Sequence, residues 1–249
     1  MLPMLYHAHT SLDSEDIDFW HEMARQQASP ILELGCGTGR VLFGLVQAGF
    51  KVFGIDKDLH MLGYLRSNLL TMHTSNTCLI QGDFCAFHLA VKFALIILPC
   101  NTFSTLSGVQ RALTLERVHW HLQPEGIFIT SIPNPSYLRQ LPRQVDPEVE
   151  EIFPHPQDGE PVQVSSAWKR STNQMVITWM YDHLKSDGEV ERYSYRVTQH
   201  IIPVETIVEE IQNAGLEVIH LYGDFDGAPF TEESTYLILI SRKASSGQF

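Results

Sequence analysis

The chain has 249 residues, 44% of them hydrophobic, which is enough to bury a complete core around one α/β domain with an insertion. Its 29 acidic residues outnumber its 17 basic residues, and the net charge of −12 argues against a general nucleic-acid partner because it repels phosphate backbones. The sequence shows neither an apolar run long enough for a membrane span nor a signal peptide, so we expect a cytoplasmic protein without a membrane partner.

Strand and helix patterns alternate along the first half of the chain. An amphipathic helix over 11–28, with an N-cap at Asp13 or Ser14, precedes apolar strands that are separated by helices with one apolar face. The predicted strands are 31–34, 52–55, 78–81, 93–98 and 126–132, and the predicted helices are 38–48, 58–73 and 107–122. This β-α repetition predicts a parallel sheet that is covered by helices on both faces.

The pattern changes at Pro133. Seven prolines between 133 and 161 predict little regular structure there, and three segments with alternating polarity then predict a short antiparallel meander at 162–168, 175–182 and 190–200. A helix from residue 204 and two strands, 216–222 and 235–242, return to the first pattern. We therefore expect a core of residues 1–132 and 203–249, and an inserted β subdomain of residues 133–202 that caps the substrate or forms a dimer contact.

The most informative segment is 31–40, which reads Ile-Leu-Glu-Leu-Gly-Cys-Gly-Thr-Gly-Arg. A strand that runs through glycines into a helix N-terminus forms a nucleotide-binding corner, since glycine lets a ligand approach the backbone closely. The spacing is Gly-x-Gly-x-Gly rather than the Gly-x-Gly-x-x-Gly of dinucleotide-binding loops. Glu33, two residues ahead of the glycines, suits a cationic group better than a pyrophosphate. The segment therefore predicts a nucleoside ligand without phosphates.

Acidic residues also follow the next two predicted strands. Asp56 ends the second strand, where its carboxylate is suited to a ribose diol, although a helix N-cap is an alternative role that Asp58 can also fill. Asp83 and Phe84 follow the third strand, where they suit the amine and the ring of an adenine. Because open α/β sheets bind ligands at the carboxyl ends of their strands, these residues are expected to share one site.

In this order, the motifs resemble those of class I S-adenosylmethionine-dependent methyltransferases. The likeness spans residues 6–243 and rests on segments 33–39, 54–56, 81–84, 95–103 and 122–129. It implies a doubly wound, Rossmann-like sheet of seven mostly parallel strands, with the last strand antiparallel between the fifth and sixth, and a small antiparallel β insertion. It also implies S-adenosylmethionine as cofactor. The expected cofactor-binding residues are Tyr6, Glu33, Gly35, Cys36, Gly37, Gly39, Asp56, Lys57, Met61, Asp83, Phe84, Leu98 and Pro99.

Two further segments resemble the branch of the family that methylates small molecules. Tyr6, His7 and His9 are expected to form a lid over the cofactor, and a disordered N-terminus is the alternative. Segment 222–230 is expected to rim the acceptor pocket, and an ordinary turn is the alternative. The expected acceptor-binding residues are Asn101, Tyr222, Asp224 and Phe225, and the candidate general bases are His7, His9 and Asp224. His155 and His200 lie in the insertion, but no spacing singles them out.

We therefore predict methyl transfer from S-adenosylmethionine to a nitrogen or oxygen of a small molecule, by in-line displacement, in a monomer or homodimer. A nicotinamide-dependent oxidoreductase and a non-catalytic regulatory subunit that binds S-adenosylmethionine are the alternatives. The four cysteines have no Cys-x-x-Cys spacing, so we predict reduced thiols and no metal ion. The fourth strand lacks an Asn-Pro-Pro-Tyr signature, which disfavours adenine methylation of DNA.

Overall fold

The structure is a computed structural model that describes residues 1–12, 15–27, 29–71 and 76–245. Its strands are β1 (Ile31–Leu34), β2 (Val52–Asp56), β3 (Thr77–Gln81), β4 (Phe93–Leu98), β5 (Leu122–Pro133), β6 (Gln144–Pro154), β7 (Pro161–Arg170), β8 (Gln174–Leu184), β9 (Val190–His200), β10 (Leu216–Tyr222) and β11 (Tyr236–Lys243). Its α-helices are α1 (Leu2–Thr10), α2 (Ile17–Gln27), α3 (Arg40–Gln47), α4 (Leu59–Thr71), α5 (Gly108–His121), α6 (Pro135–Gln140) and α7 (Val204–Asn213). The predicted N-cap at Asp13 or Ser14 and the predicted helix ends at Ala28 and His73 lie outside the described residues.

The larger sheet confirms the predicted topology. Its seven strands follow the order β10-β11-β5-β4-β1-β2-β3, and β11 alone runs antiparallel to its two neighbours. The chain moves outward from β1 to β3, then crosses back to β4 on the other side of β1. The loops that follow β1 and β4 therefore leave the sheet in opposite directions, and they open a crevice at its carboxyl edge.

Helices cover both faces of this sheet. In the fully buried strand β4, Leu95 and Ile97 pack with α2, α3 and α4, whereas Ile96 and Leu98 pack with α5 and α7. A parallel strand that faces an apolar layer on each side needs no polar residue, which explains its continuous apolar sequence. None of the helices among the described residues has the length and apolar character that a membrane crossing requires.

The second sheet contains β6, β7, β8 and β9 in that order, all antiparallel. The three predicted strands of the meander are confirmed. The prediction of little regular structure between 133 and 161 is wrong, because α6 and β6 occupy most of that stretch. Pro147 and Pro154 are tolerated in β6 because it is an edge strand, and the pairing with β7 shifts register between Val145 and Glu148, beside Pro147.

Helix α1 lies between the two sheets. The helix predicted over 11–28 is confirmed in its second part, where α2 spans Ile17–Gln27, whereas α1 was not predicted. The alternative of a disordered N-terminus is wrong, because Leu2–Thr10 are helical. Leu5 is fully buried against Phe153 and Val162 of the second sheet, and α1 also contacts α4. The N-terminal helix therefore joins the inserted sheet to the carboxyl edge of the larger one.

Candidate active site

The loop after β1 is held in a conformation that only glycine adopts readily. Gly35, Gly37 and Gly39 have φ values of 68°, 51° and 89°, in the left-handed region. The amide of Gly37 donates a 2.8 Å hydrogen bond to Oδ2 of Asp56, and the amide of Gly35 donates to the carbonyl of Ile55 at 2.8 Å. The loop is thus fixed against the end of β2.

The glycines of this corner have different steric roles. A Cβ on Gly37 would make ordinary van der Waals contact with its nearest neighbour, Asp56 Oδ2, at 3.9 Å. A Cβ on Gly39 would collide with Leu65 of α4, and one on Gly35 would lie 3.2 Å from Cγ2 of Thr102. Gly39 therefore allows close packing of helices, whereas Gly37 is needed for its left-handed backbone conformation rather than for space.

The sequence left open whether Asp56 or Asp58 caps the helix α4. Oδ1 of Asp58 accepts from the amides of His60 (2.8 Å) and Met61 (3.2 Å), so Asp58 caps α4. Asp56 accepts from Gly37 and, through Oδ1, from the amide of Asp58 at 2.8 Å. Asp56 is therefore not the helix cap, and its carboxylate lies against the glycine loop.

Other residues predicted for the cofactor lie around this corner. Asp83 is exposed after β3 and accepts from the amide of Cys85 at 2.8 Å, while the ring of Phe84 faces Gly35. The Cys36 side chain is buried against Gly54 of β2, so only its backbone belongs to the loop surface. The remaining positions are Lys57, which is exposed, Met61, which is half-buried, and Leu98 with Pro99, which are buried.

Glu33 is a buried acid at the base of the loop. Its side chain is 2% exposed, and Oε2 has no hydrogen-bond partner among the described residues. Burial raises the pKa of Glu33 to about 8, although the nearby Arg40 opposes this effect. The carboxyl group is therefore mostly protonated at neutral pH, and a cationic ligand would favour its ionised form.

Contacts of Arg40 that the sequence did not reveal join the end of the glycine loop to Asp16, before α2, and to the loop after β4. Arg40, the first residue of α3, donates two 2.6 Å hydrogen bonds to Asp16 and lies 3.1 Å from Sγ of Cys100. Cys100 and Asn101 both have left-handed φ values, 58° and 61°, which is strained backbone for residues other than glycine. No spacing in the sequence connects these positions, because they meet only across the crevice.

Helix α1 is attached to the glycine loop by His7. Its Nδ1 lies 3.0 Å from Oγ1 of Thr38, and its ring contacts the rings of Phe43 and Tyr64. Met61 and Tyr64 of α4 line a cavity of about 490 Å³ together with the first turn of α1. His7 therefore holds α1 over the predicted cofactor corner.

Aromatic hydroxyl groups collect where α1 meets the second sheet. The ring of Tyr6 packs edge-on against Tyr195 at 5.2 Å, and Trp179 stacks on the other side of this cluster, 6.1 Å from Tyr195. Tyr181 is fully buried beside them. Burial, together with neighbouring groups, raises the pKa values of Tyr6 and Tyr181 well above the ordinary range, so both stay neutral.

His9 lies between a hydroxyl group and a carboxylate. Its Nδ1 is 3.1 Å from the Tyr181 hydroxyl, and its Nε2 is 3.7 Å from Oε2 of Glu150 in β6. Burial lowers the pKa of His9, while Glu150 acts in the opposite direction. A neutral imidazole in this position can take up a proton and pass it to the partly exposed Glu150.

The other positions predicted for the acceptor have local contacts. Phe225 packs against Phe19, Trp20 and Tyr236, and Tyr222 stacks on His220. Asp224 is exposed and accepts from the amide of Phe225, and Asn101 begins the short 3-10 helix at Thr102–Thr105. Segment 222–230 thus contains a packed turn, and its side chains are not among those that contact the tyrosine cluster.

The sequence of this chain is similar to those of known methyltransferases. Residues 31–126 match the family model described as a methyltransferase domain. The glycine corner and strands β1 to β4 therefore lie in a region that is similar to methyltransferase domains. The chain is also 23% identical over 211 residues to the cypemycin N-terminal methyltransferase of a Streptomyces species, in an alignment that covers 84% of this chain and 81% of that protein. These similarities favour the predicted S-adenosylmethionine-dependent methyltransferase over the oxidoreductase and over a non-catalytic subunit.

Solved methyltransferases share the fold over nearly the whole chain. The CcbJ methyltransferase of Streptomyces caelestis superposes with a TM-score of 0.76 at 22% identity, covering 93% of this chain and 90% of that one. CalS10 of Micromonospora echinaspora, described as an amino pentose methyltransferase with S-adenosylmethionine bound, gives a TM-score of 0.72 at 18% identity, covering 95% of each chain. At these identities the likeness establishes the fold.

The buried Glu33 generates a prediction about stability. Between about pH 5 and 8 the folded chain holds a proton on Glu33 that the unfolded chain has released, so this group lowers the free energy of unfolding as pH rises. Glu33→Gln keeps a neutral side chain at every pH, and we expect it to remove this contribution. Urea unfolding of both proteins at pH 5.5 and 8.5 measures it: the variant should gain stability relative to the wild type at the higher pH, and an unchanged difference would contradict the assignment.

Proposed function

We propose that the chain transfers the methyl group of S-adenosylmethionine to an amine nitrogen of a small molecule. The observation that carries this proposal is the neutral His9, placed between the Tyr181 hydroxyl and Glu150, at the junction of α1 with the inserted sheet. An amine must lose a proton before it attacks a methyl group, and His9 with Glu150 offers a route for that proton. The activated methyl group itself is supplied by the sulfonium of the cofactor.

The cofactor side of the proposal rests on the glycine corner. The carboxylate of Asp56, which lies beside Gly37, suits a ribose diol, and the ring of Phe84 lies near Gly35. The unpartnered Oε2 of the buried Glu33 suits the α-ammonium group of the methionine moiety. These residues fit S-adenosylmethionine, and Asp83 remains our proposed partner for the adenine amine.

The acceptor side favours a cation over a neutral alcohol. Tyr6, Tyr195 and Trp179 present aromatic faces in one cluster, with the carboxylate of Glu150 behind His9. Aromatic rings attract ammonium groups, and the net charge of −12 strengthens the attraction. The names of two similar proteins, an N-terminal methyltransferase and an amino pentose methyltransferase, point to amine acceptors as well.

The chain contributes mainly alignment and exclusion of water. Helix α1, held on the loop by the contact of His7 with Thr38, packs on the inserted sheet through Leu5 and also contacts α4. Holding the nitrogen in line with the methyl group supplies several kcal/mol without a strong base. Asp56 and Glu33 would hold S-adenosylmethionine, which would supply the electrophilic methyl group, and His9 with Glu150 would accept the proton that the amine loses.

A panel of acceptors tests the proposed reaction. We expect the purified chain to release S-adenosylhomocysteine from S-adenosylmethionine in the presence of amino sugars or short peptides with a free N-terminal amine, and not with matched alcohols or phenols. Turnover with the hydroxyl acceptors alone would contradict N-methylation while leaving methyl transfer intact. Calorimetric binding of NADH without binding of S-adenosylhomocysteine would contradict the methyl donor itself.

Asp56→Asn tests the cofactor site. Loss of the charged acceptor is expected to weaken binding of S-adenosylhomocysteine by at least about tenfold, the usual size for a hydrogen bond to a charged group. Isothermal titration calorimetry measures the affinity, and circular dichroism checks that the fold is intact. Asp58→Asn, which alters the neighbouring helix cap, is the matched control and should bind nearly as the wild type does. Equal affinities for wild type and Asp56→Asn would exclude the ribose contact.

His9→Gln tests the proton route. We expect kcat with an amine acceptor to fall by roughly 100-fold at pH 7, with the KM for S-adenosylmethionine unchanged. The deficit should shrink as pH rises, because the free amine then loses its proton in solution. His88→Gln, at an exposed histidine far from the crevice, is the control. A deficit of the same size at every pH would assign His9 a structural role instead.

A further inference from the structure

A second group of titratable side chains lies in the inserted sheet, away from the glycine corner. His155 directly follows β6, Asp158 lies in the hairpin turn before β7, and His183 is near the end of β8. The turn is tight, because the amide of Gly159 donates to the carbonyl of His155 at 2.9 Å and the amide of His155 donates to Glu160 at 2.7 Å. Pairing of Val162 with His183 brings β8 beside this turn.

The two imidazoles are buried without adequate partners. Their side chains are 1% and 3% exposed, and the rings stack at 4.0 Å with an interplanar angle of 10°. Among the described residues, Nδ1 of His155 and both ring nitrogens of His183 make no hydrogen bond. Two of these nitrogens have only Asp158 as an ion-pair neighbour, and Nδ1 of His183 has no such contact among the described residues. Buried polar atoms in native proteins are nearly always paired, so this cluster has room for a further partner.

Asp158 points both of its oxygens at these rings. Oδ1 lies 2.9 Å from Nδ1 of His155, and Oδ2 lies 3.3 Å from Nε2 of His183. The other nitrogen of His155, Nε2, is 3.3 Å from Sδ of Met1, and we assign it the proton as a donor to that sulfur. Nδ1 then carries a lone pair that faces a carboxylate oxygen, an arrangement that a cation between them stabilises.

We propose that His155, Asp158 and His183 bind one divalent transition-metal ion of the Zn²⁺ type. Two imidazole nitrogens and one carboxylate are ligands that Zn²⁺ accepts, whereas Ca²⁺ and Mg²⁺ prefer oxygen alone. The potential ligand atoms all lie within 4.8 Å of one another. Tetrahedral bonds of about 2.1 Å require ligand atoms about 3.4 Å apart, so binding of the ion would draw these side chains closer together.

The exposure of Asp158 determines how the proposed site contacts solvent. Its side chain is 46% exposed, so water can complete the coordination and the ion can exchange with solvent. None of the three ligands belongs to the proposed cofactor or acceptor residues. The ion would join the β6–β7 hairpin to β8 near Met1, the residue before α1, and so would stabilise the inserted sheet independently of methyl transfer.

A cobalt titration tests the proposal. Metal-free protein is titrated with Co²⁺, whose visible absorption reports coordination by protein ligands, and Zn²⁺ is then added as competitor. We expect one Co²⁺ per chain, displaced by Zn²⁺. Asp158→Asn and His183→Gln should each weaken binding by more than about 100-fold, since loss of a direct ligand exceeds the usual effect of an outer-shell change. His200→Gln, in the same sheet but outside the cluster, should bind as the wild type does.

Diffraction from wild-type crystals soaked in Zn²⁺ needs no variant and locates the ion directly. An anomalous peak at the zinc edge is expected between His155, Asp158 and His183. The proposal is overturned if Co²⁺ does not bind in a 1:1 ratio, if Asp158→Asn binds as well as the wild type, or if the peak lies elsewhere. Titration of both imidazoles by nuclear magnetic resonance without any metal binding would show a pair that shares a proton with Asp158 instead.

Discussion

The 2.8 Å hydrogen bond from the Gly37 amide to Asp56 is the contact on which the carboxyl edge of the sheet depends. It requires a left-handed glycine at the tip of the first loop and an acceptor at the last residue of β2, two positions that the parallel pairing of β1 and β2 brings together. With the loop fixed, α3 begins at Arg40, which reaches across the crevice to Asp16 and Cys100. Arg40 therefore also holds the strained turn after β4, which lies on the other side of the crevice.

Helix α1 adds a second constraint. It has nine residues, too few for a stable isolated helix, so its conformation depends on the surfaces that it contacts. Leu5 packs on the inserted sheet, and His7 contacts Thr38 of the glycine loop, so the two sheets are coupled through opposite sides of one short element. The proposed acceptor site consequently draws on the N-terminus, the glycine loop and the insertion, and it is incomplete without any one of them.

The glycine corner was predictable because its signals are local: strand, turn and helix N-terminus follow one another within ten residues. Helix α1 and strand β6 were missed for the opposite reason, since α1 is stabilised by tertiary packing and β6 contains prolines that only an edge strand accommodates. Phe225 was predicted at the acceptor, but the sequence could not show that Phe19 and Trp20 would pack on it. Glu150 lies far from His9 in sequence, and only the fold brings them together.

Strand β6 connects the two proposed cation sites of the insertion. Glu150 faces His9 near the aromatic cluster, while His155 follows the end of the same strand. The surroundings distinguish the cations that each site favours. Aromatic faces attract an organic ammonium group electrostatically, without forming direct bonds to it. Buried imidazole nitrogens instead replace the water around a small metal ion by direct bonds. Because the two sites differ in ligand chemistry rather than in charge, an amine acceptor and a metal ion would not compete, and the acidic field of the chain would attract both.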